Sequence, residues 1–221
     1  MTEPEATTAS REPTNLNPAN IVTIARILLI PLFLVVLLVP PQWVRAIAPP
    51  QWVDWAPWVA ALVFALLAGT DAVDGYLARS RNQVTTFGKF IDPLADKLLV
   101  TAALIGLVQL GTLPAWIAVL IISREFIVSG LRLVAVAEGK VIAASPLGKL
   151  KTVAQTLAII MFIVKGSTGI AALSGMAGAT WFDWAAWAVM VVALFLTIWS
   201  MLDYFYGARE VLAGPWRRDR A

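Results

Sequence analysis

The chain has 221 residues, 59% of them hydrophobic and 14% charged, with a mean hydropathy of +0.78; soluble domains are about 45–50% apolar, so this is the composition of a membrane protein. The absence of cysteine and histidine excludes disulfides, thiolate or imidazole metal sites and an imidazole base, leaving hard, oxygen-liking ions such as magnesium, manganese or calcium as the metals the chain can hold. The formal net charge of +3 is dispersed over the ends of apolar runs, which is the distribution of membrane-orientation charges and argues against a nucleic-acid partner.

In chain order, residues 1–15 mix acids, threonines and prolines without an apolar run, so they are expected to form a disordered cytosolic tail. They do not have the layout of a cleavable leader. Six apolar runs follow, each near the roughly 20 residues that a helix needs to cross a hydrocarbon core. The first covers about Ile21 to Val39 and the second starts near Trp55 and enters an acidic stretch. The third follows Asp92 to about Leu110, and the fourth covers Leu113 to Ala137. The fifth covers Leu150 to Val164 and the sixth Trp181 to Tyr206. Turn-forming residues make Pro40 to Pro50 and Gly166 to Gly178 loops. The expected fold is therefore all-α and polytopic, with six transmembrane helices over residues 16–208 and a basic cytosolic tail over 209–221.

Orientation follows from lysine and arginine. The loops after the first, third and fifth runs carry only Arg45 and Lys165, whereas the opposite side collects Arg79, Arg81, Lys89, Lys140, Lys149, Lys151, Arg209, Arg217, Arg218 and Arg220. The positive-inside rule then puts both termini in the cytosol. Trp43, Trp52, Trp55, Trp58, Trp116, Trp181 and Trp184 fall at the predicted outer ends, where indoles anchor at the interface.

Between the second and third runs lies GTDAVDGYLARSRNQVTTFGKFIDPLADK, residues 69–97. Asp71 and Asp74 are three residues apart and Asp92 and Asp96 four, so each pair shares a helix face. A short basic connection makes the two helices antiparallel neighbours, and four carboxylates brought together repel one another unless cations neutralise them. Two divalent ions bridged by shared aspartates would do so. Pro93 leaves two arrangements open: Asp92 as N-cap with Pro93 at the first helical position, or a helix already begun near Thr86 that Pro93 interrupts. Gly75 and Gly88 serve either close helix packing or the admission of a ligand beside the acids. Arg79 is either an orientation charge or a phosphate contact.

The pattern D-x-x-D-G-x-x-A-R, eight residues, G-x-x-x-D-x-x-x-D resembles the signature of the CDP-alcohol phosphotransferase family, with Asp71, Asp74, Gly75, Ala78, Arg79, Gly88, Asp92 and Asp96 filling its specified positions. The resemblance implies a six-helix membrane enzyme, commonly a homodimer, that displaces CMP from a CDP-linked lipid with an alcohol. It implies two magnesium or manganese ions on Asp71, Asp74, Asp92 and Asp96, with Asp96 also the base that takes the proton of the attacking hydroxyl. It assigns Gly75, Ala78, Arg79 and Gly88 to the cytidine diphosphate site. Asn20 is an ordinary N-cap candidate, and the family's N-x-x-T-x-x-R opening, here Asn20, Thr23 and Arg26, implies that Asn20 and Thr23 also contact the nucleotide.

The second substrate is read elsewhere. ISREFIVSGLR places Arg124 about a third of the way along the fourth helix and Arg132 two turns nearer the cytosol. An arginine at that depth costs roughly 2.5–3.5 kcal/mol on insertion scales, so it needs a polar cavity or a partner such as Glu125. SPLGKLKT adds Lys149 and Lys151 at the start of the fifth helix. These four cations would hold an acceptor that carries a phosphate, where choline or serine would need none. R-E-F and G-K-x-K-T are similar to stretches of the family's bacterial phosphatidylglycerophosphate synthases, the branch using CDP-diacylglycerol and sn-glycerol 3-phosphate. The expected location is a bacterial inner membrane with the site facing the cytosol. The alternatives are the same chemistry with inositol phosphate, and a carboxylate-based ion transporter, which calls for acids near the bilayer midplane and broken helices.

Overall fold

In a hydrocarbon environment a chain must satisfy its backbone polar groups internally, and a helix does so within one segment. The structure, a computed structural model, describes the backbone of residues 18–38, 51–80, 86–137, 146–165, 167, 170 and 181–217, and the side chains of 21–38, 55–70, 94, 95, 97–136, 147–165, 167, 170, 181–207 and 209. Within these residues lie six long helices: α1 (Pro18–Leu38), α2 (Gln51–Ser80), α3 (Thr86–Gln109), α4 (Ala115–Ala137), α5 (Pro146–Val164) and α6 (Trp181–Arg217). The expected N-terminal tail and the loop Pro40 to Pro50 lie outside them, as does most of Gly166 to Gly178.

Among the described residues, three helices contain a stretch long and apolar enough to cross a membrane: Ile21–Leu38 in α1, Leu147–Val164 in α5 and Trp181–Gly207 in α6. α2 and α3 have shorter apolar stretches among the described residues, Trp55–Thr70 and Lys97–Gln109. α4 is interrupted by Arg124, Glu125 and Arg132. α6 extends past its apolar run as far as Arg217.

The helices are apolar on both their buried and their outward faces. In α1, Phe33 is buried beside the exposed Leu32; in α2, Phe64 is buried and Leu62 and Leu66 are exposed. That double apolarity is the mark of a bundle surrounded by lipid. Phe33 and Phe64 join α1 to α2 with ring centroids 5.7 Å apart, and the core continues through Leu99, Leu104, Ile121, Ile159 and Met190. α3 packs against α1, α2, α4 and α5, and the most extensive contact in the bundle is that of α5 with α6. Trp55, Trp58, Trp116, Trp181 and Trp184, near the starts of α2, α4 and α6, are all exposed.

Two glycines have identifiable work. α3 ends where Gly111 takes a left-handed φ of 70° and the Thr112 amide returns to the Leu107 carbonyl at 3.1 Å, turning the chain directly into α4. The α5–α6 pair is held where α5 ends and α6 begins: Phe162 meets Trp187 edge-to-face at 5.0 Å, and Lys165 lies over both rings and 3.9 Å from Asp183. Gly106 sets the approach of α1 to α3, since a Cβ there would stand 2.6 Å from Cδ2 of Leu37. A methyl can be accommodated by rotation of Leu37, but a larger side chain must push the helices apart. Gly106→Ile is expected to destabilise the bundle by about 1–3 kcal/mol, with Gly106→Ala near wild type, as read from thermal unfolding in detergent micelles.

Candidate active site

The four aspartates lie on two helices that pack against each other, Asp71 and Asp74 in the last third of α2 and Asp92 and Asp96 in the first half of α3. α3 begins at Thr86 and runs through Pro93. Of the two arrangements open in the sequence, the chain therefore adopts the one in which Asp92 is inside the helix. Pro93 supplies no amide to the Lys89 carbonyl, so the i→i−4 ladder is interrupted beside the acids. The side chains of Asp71, Asp74, Gly75, Ala78, Arg79, Gly88, Asp92 and Asp96 lie outside the described residues, as does that of Asn20. Thr23 and Arg26 are described and both are buried inside the bundle, 2% and 1% exposed.

Two cavities adjoin this segment. The larger, about 690 Å³, lies between α2, α3 and α5, with Gly69, Lys97, Lys151, Gln155 and Thr156 in its wall. Gly69 precedes Asp71 by two residues and Lys97 directly follows Asp96, so the cavity reaches the flanks of both aspartate pairs. The smaller, about 250 Å³, is lined by Lys97, Arg124, Arg132 and Lys149 together with Glu125, Tyr204 and neighbouring small side chains. Lys97, Glu125 and Thr152 belong to both walls.

Arg124, Arg132 and Lys149 are thus brought together in one cavity. Lys151 is not: it is buried, forms an ion pair with Glu125 and lines the larger cavity. Glu125 also lies 3.5 Å from Nη1 of Arg124, so the expected Arg124–Glu125 contact exists, and Lys151 is the carboxylate's closer partner. Arg124 is 7% exposed; its Nη2 donates to Ser200 Oγ at 2.9 Å, and Ser200 in turn donates to the Thr197 carbonyl at 3.1 Å. The Nε–H of Arg124 has no partner among the described residues. Arg132 donates from Nε to the hydroxyl of Tyr204 at 2.7 Å. With four cationic side chains against one carboxylate among the described residues, the small cavity suits an anion, and guanidinium forks match phosphate oxygens in particular.

Sequence reasoning missed Lys97, Ser200 and Tyr204. Lys97 had a signal available, its place next to Asp96. Ser200 and Tyr204 had none, since they sit in an apolar run more than 70 residues from the arginines they contact.

The chain matches the family described as CDP-alcohol phosphatidyltransferase over residues 16–199. The protein belongs to that family of transferases. It is 45% identical to the CDP-diacylglycerol–glycerol-3-phosphate 3-phosphatidyltransferase of Bacillus subtilis (strain 168) over 196 residues, which cover 89% of this chain and 97% of the relative. It is 38% identical to a probable phosphatidylglycerophosphate synthase of Mycobacterium tuberculosis (strain ATCC 25618 / H37Rv) over 200 residues, 90% of this chain and 84% of the relative. Against the CDP-diacylglycerol–glycerol-3-phosphate 3-phosphatidyltransferase of Escherichia coli (strain K12) the identity is 36% over 203 residues, 89% and 97% of the two chains. As a CDP-alcohol phosphatidyltransferase the protein has its signature acids on α2 and α3, and the cation cavity lies on the α4 and α5 side of them.

The shared carboxylate makes that cavity sensitive to single changes. Glu125→Leu removes the counter-charge shared by Arg124 and Lys151 inside the bundle and is expected to cost about 3–5 kcal/mol. Glu125→Leu combined with Lys151→Met removes both members of the closer pair and should regain most of that loss. Thermal unfolding of the wild type, the single and the double variant checks both statements.

Proposed function

We propose that the protein transfers the phosphatidyl group of CDP-diacylglycerol to sn-glycerol 3-phosphate, giving phosphatidylglycerol phosphate and CMP, a step of glycerophospholipid biosynthesis. The observation that carries this reading is the small cationic cavity of Arg124, Arg132 and Lys149, joined by a common wall to a larger cavity that reaches both aspartate segments. An acceptor bearing a phosphate needs such a cavity, and the names of the relatives point to glycerol 3-phosphate.

In this reaction the acceptor's free primary hydroxyl oxygen forms a bond to the lipid-side phosphorus, the bond from that phosphorus to the CMP oxygen breaks, and Asp96 takes the hydroxyl proton. Arg124, Arg132 and Lys149 hold the acceptor's phosphate, and Lys151 adds positive charge from the far side of Glu125. Tyr204 keeps the Arg132 guanidinium in place. Asn20, Thr23, Gly75, Ala78, Arg79 and Gly88 form the cytidine diphosphate site. Asp71, Asp74, Asp92 and Asp96 are an all-oxygen donor set on two adjoining helices, which suits two hard divalent ions, magnesium or manganese. Such ions, when bound, offset the diphosphate charge and stabilise CMP as it leaves.

All six helices cross the membrane in this reading, with both termini and the aspartates on the cytosolic side of a bacterial inner membrane and residues 1–15 and 209–221 as cytosolic tails. The acyl chains of the donor enter laterally from the bilayer. The enzyme works as a homodimer, as the family resemblance implies.

Purified protein incubated with CDP-diacylglycerol and magnesium should release CMP with glycerol 3-phosphate, and not with inositol 1-phosphate or with no acceptor. Release only with inositol 1-phosphate would keep the aspartate site and reassign the acceptor. Asp96→Asn is expected to lower kcat by about 10²–10⁴-fold, the usual range for loss of a general base. Binding of CDP-diacylglycerol to that variant, measured by calorimetry, should persist; unchanged turnover would take Asp96 out of the base role.

A further inference from the structure

Gln155 sits inside the bundle on α5, 4% exposed, and its side-chain oxygen Oε1 has no hydrogen-bond partner among the described residues. A buried acceptor left in this state costs about 1–3 kcal/mol, and such groups in native proteins are completed by a ligand or by water. Gln155 lines the larger cavity, the one that reaches the aspartate segments. Thr152 and Thr156, three residues before and one after, line the same cavity. Thr152 is also in the wall of the cationic cavity.

Chemistry separates the acceptor from the diacylglycerol part of the donor, the donor's cytidine being assigned to the α1 and α2 residues and Gly88. The diacylglycerol part of the lipid donor has ester oxygens and acyl chains, and hence no hydrogen-bond donor to offer Oε1. The acceptor is a polyol. A hydroxyl both donates and accepts, so it complements a carboxamide by either of its ends. With the phosphate in the cationic cavity, the three-carbon body of glycerol 3-phosphate extends across the wall shared through Lys97, Glu125 and Thr152 into the cavity of Gln155. Its primary hydroxyl is consumed in the reaction, so the hydroxyl left to be recognised is the secondary one.

We propose that Gln155 is a specificity-determining residue that binds the secondary hydroxyl of the phosphorylated polyol acceptor and orients its primary hydroxyl for attack. The inference rests on the reading that glycerol 3-phosphate is the acceptor. It makes the larger cavity a place where both substrates meet, and it explains why a glutamine is kept unpartnered in the interior.

The test compares glycerol 3-phosphate with 3-hydroxypropyl phosphate, which has the same phosphate and primary hydroxyl but no secondary hydroxyl, in the wild type and in Gln155→Leu. A site that hydrogen-bonds a hydroxyl rejects the analogue lacking it. For a single bond the wild type should lose roughly 10- to 100-fold in kcat/KM on the analogue. Gln155→Leu should lose a similar factor on glycerol 3-phosphate, stay near the wild-type value on the analogue, and so bring the ratio of the two close to one. Should the leucine variant fail to fold, Gln155→Met, unbranched and close in volume, is measured in the same way. A ratio that stays at the wild-type value in these variants overturns the proposal and leaves water as the partner of Gln155. A raised KM for CDP-diacylglycerol with the acceptor ratio intact also overturns it, assigning the residue to the lipid. If the wild type turns over glycerol 3-phosphate but does not discriminate against the analogue, this inference alone fails; if it releases no CMP with glycerol 3-phosphate, the acceptor reading fails first.

Discussion

The carboxylate of Glu125 is the point on which the interior depends. It is shared between Lys151 on α5 and Arg124 on α4, and Arg124 reaches on to Ser200 on α6. One acid thereby ties together three helices, with the Arg132–Tyr204 hydrogen bond and the Lys165–Asp183 ion pair as further polar contacts among them. Ionised groups withdrawn from water stay ionised only when each has a counter-charge or hydrogen bonds nearby. That condition fixes where the arginine and lysine heads rest. It also leaves Glu125 in the walls of both cavities, so the arrangement that solves the folding problem is also the partition between the two spaces.

Around this junction the packing is conventional and stiff. Gly106 brings α1 close to α3, and the cluster of Phe162, Trp187, Lys165 and Asp183 fastens the end of α5 to the start of α6. α3 touches four other helices and carries Asp92 and Asp96 in its first half and the α1 contact in its second. Displacing α3 at Gly106 therefore shifts the acids relative to α2 and the cavity wall at Lys97. The outward faces, lined by residues such as Leu28, Leu62, Val119 and Val192, demand only an apolar surrounding and impose no geometry on the interior.

The two cavities divide the chemistry of transfer by charge. The small one concentrates cations; the larger is mostly apolar, with Lys97, Glu125, Lys151, Thr152, Gln155 and Thr156 as its polar groups among the described residues. A lipid donor and a charged, water-soluble acceptor have opposite solvation needs. In the proposed transfer, two spaces with a common wall meet both needs.

The amino-acid sequence by itself determined the all-helical class, the approximate place of each helix, the oxygen-only character of any metal site and the family. These are local properties: apolar run length, residue type and spacing at helical period carry them regardless of how the helices pack. Spacing also put Asp71 with Asp74 and Asp92 with Asp96 on common faces. It left open whether Pro93 begins α3 or lies within it, and only the extended helix from Thr86 decides that. The grouping of Arg124, Arg132 and Lys149, the diversion of Lys151 to Glu125, the support from Ser200 and Tyr204 and the unpartnered amide of Gln155 were all decided by tertiary structure. Each depends on which faces of α4, α5 and α6 meet, and that is set by packing between residues up to 76 positions apart, over which helical periodicity holds no information.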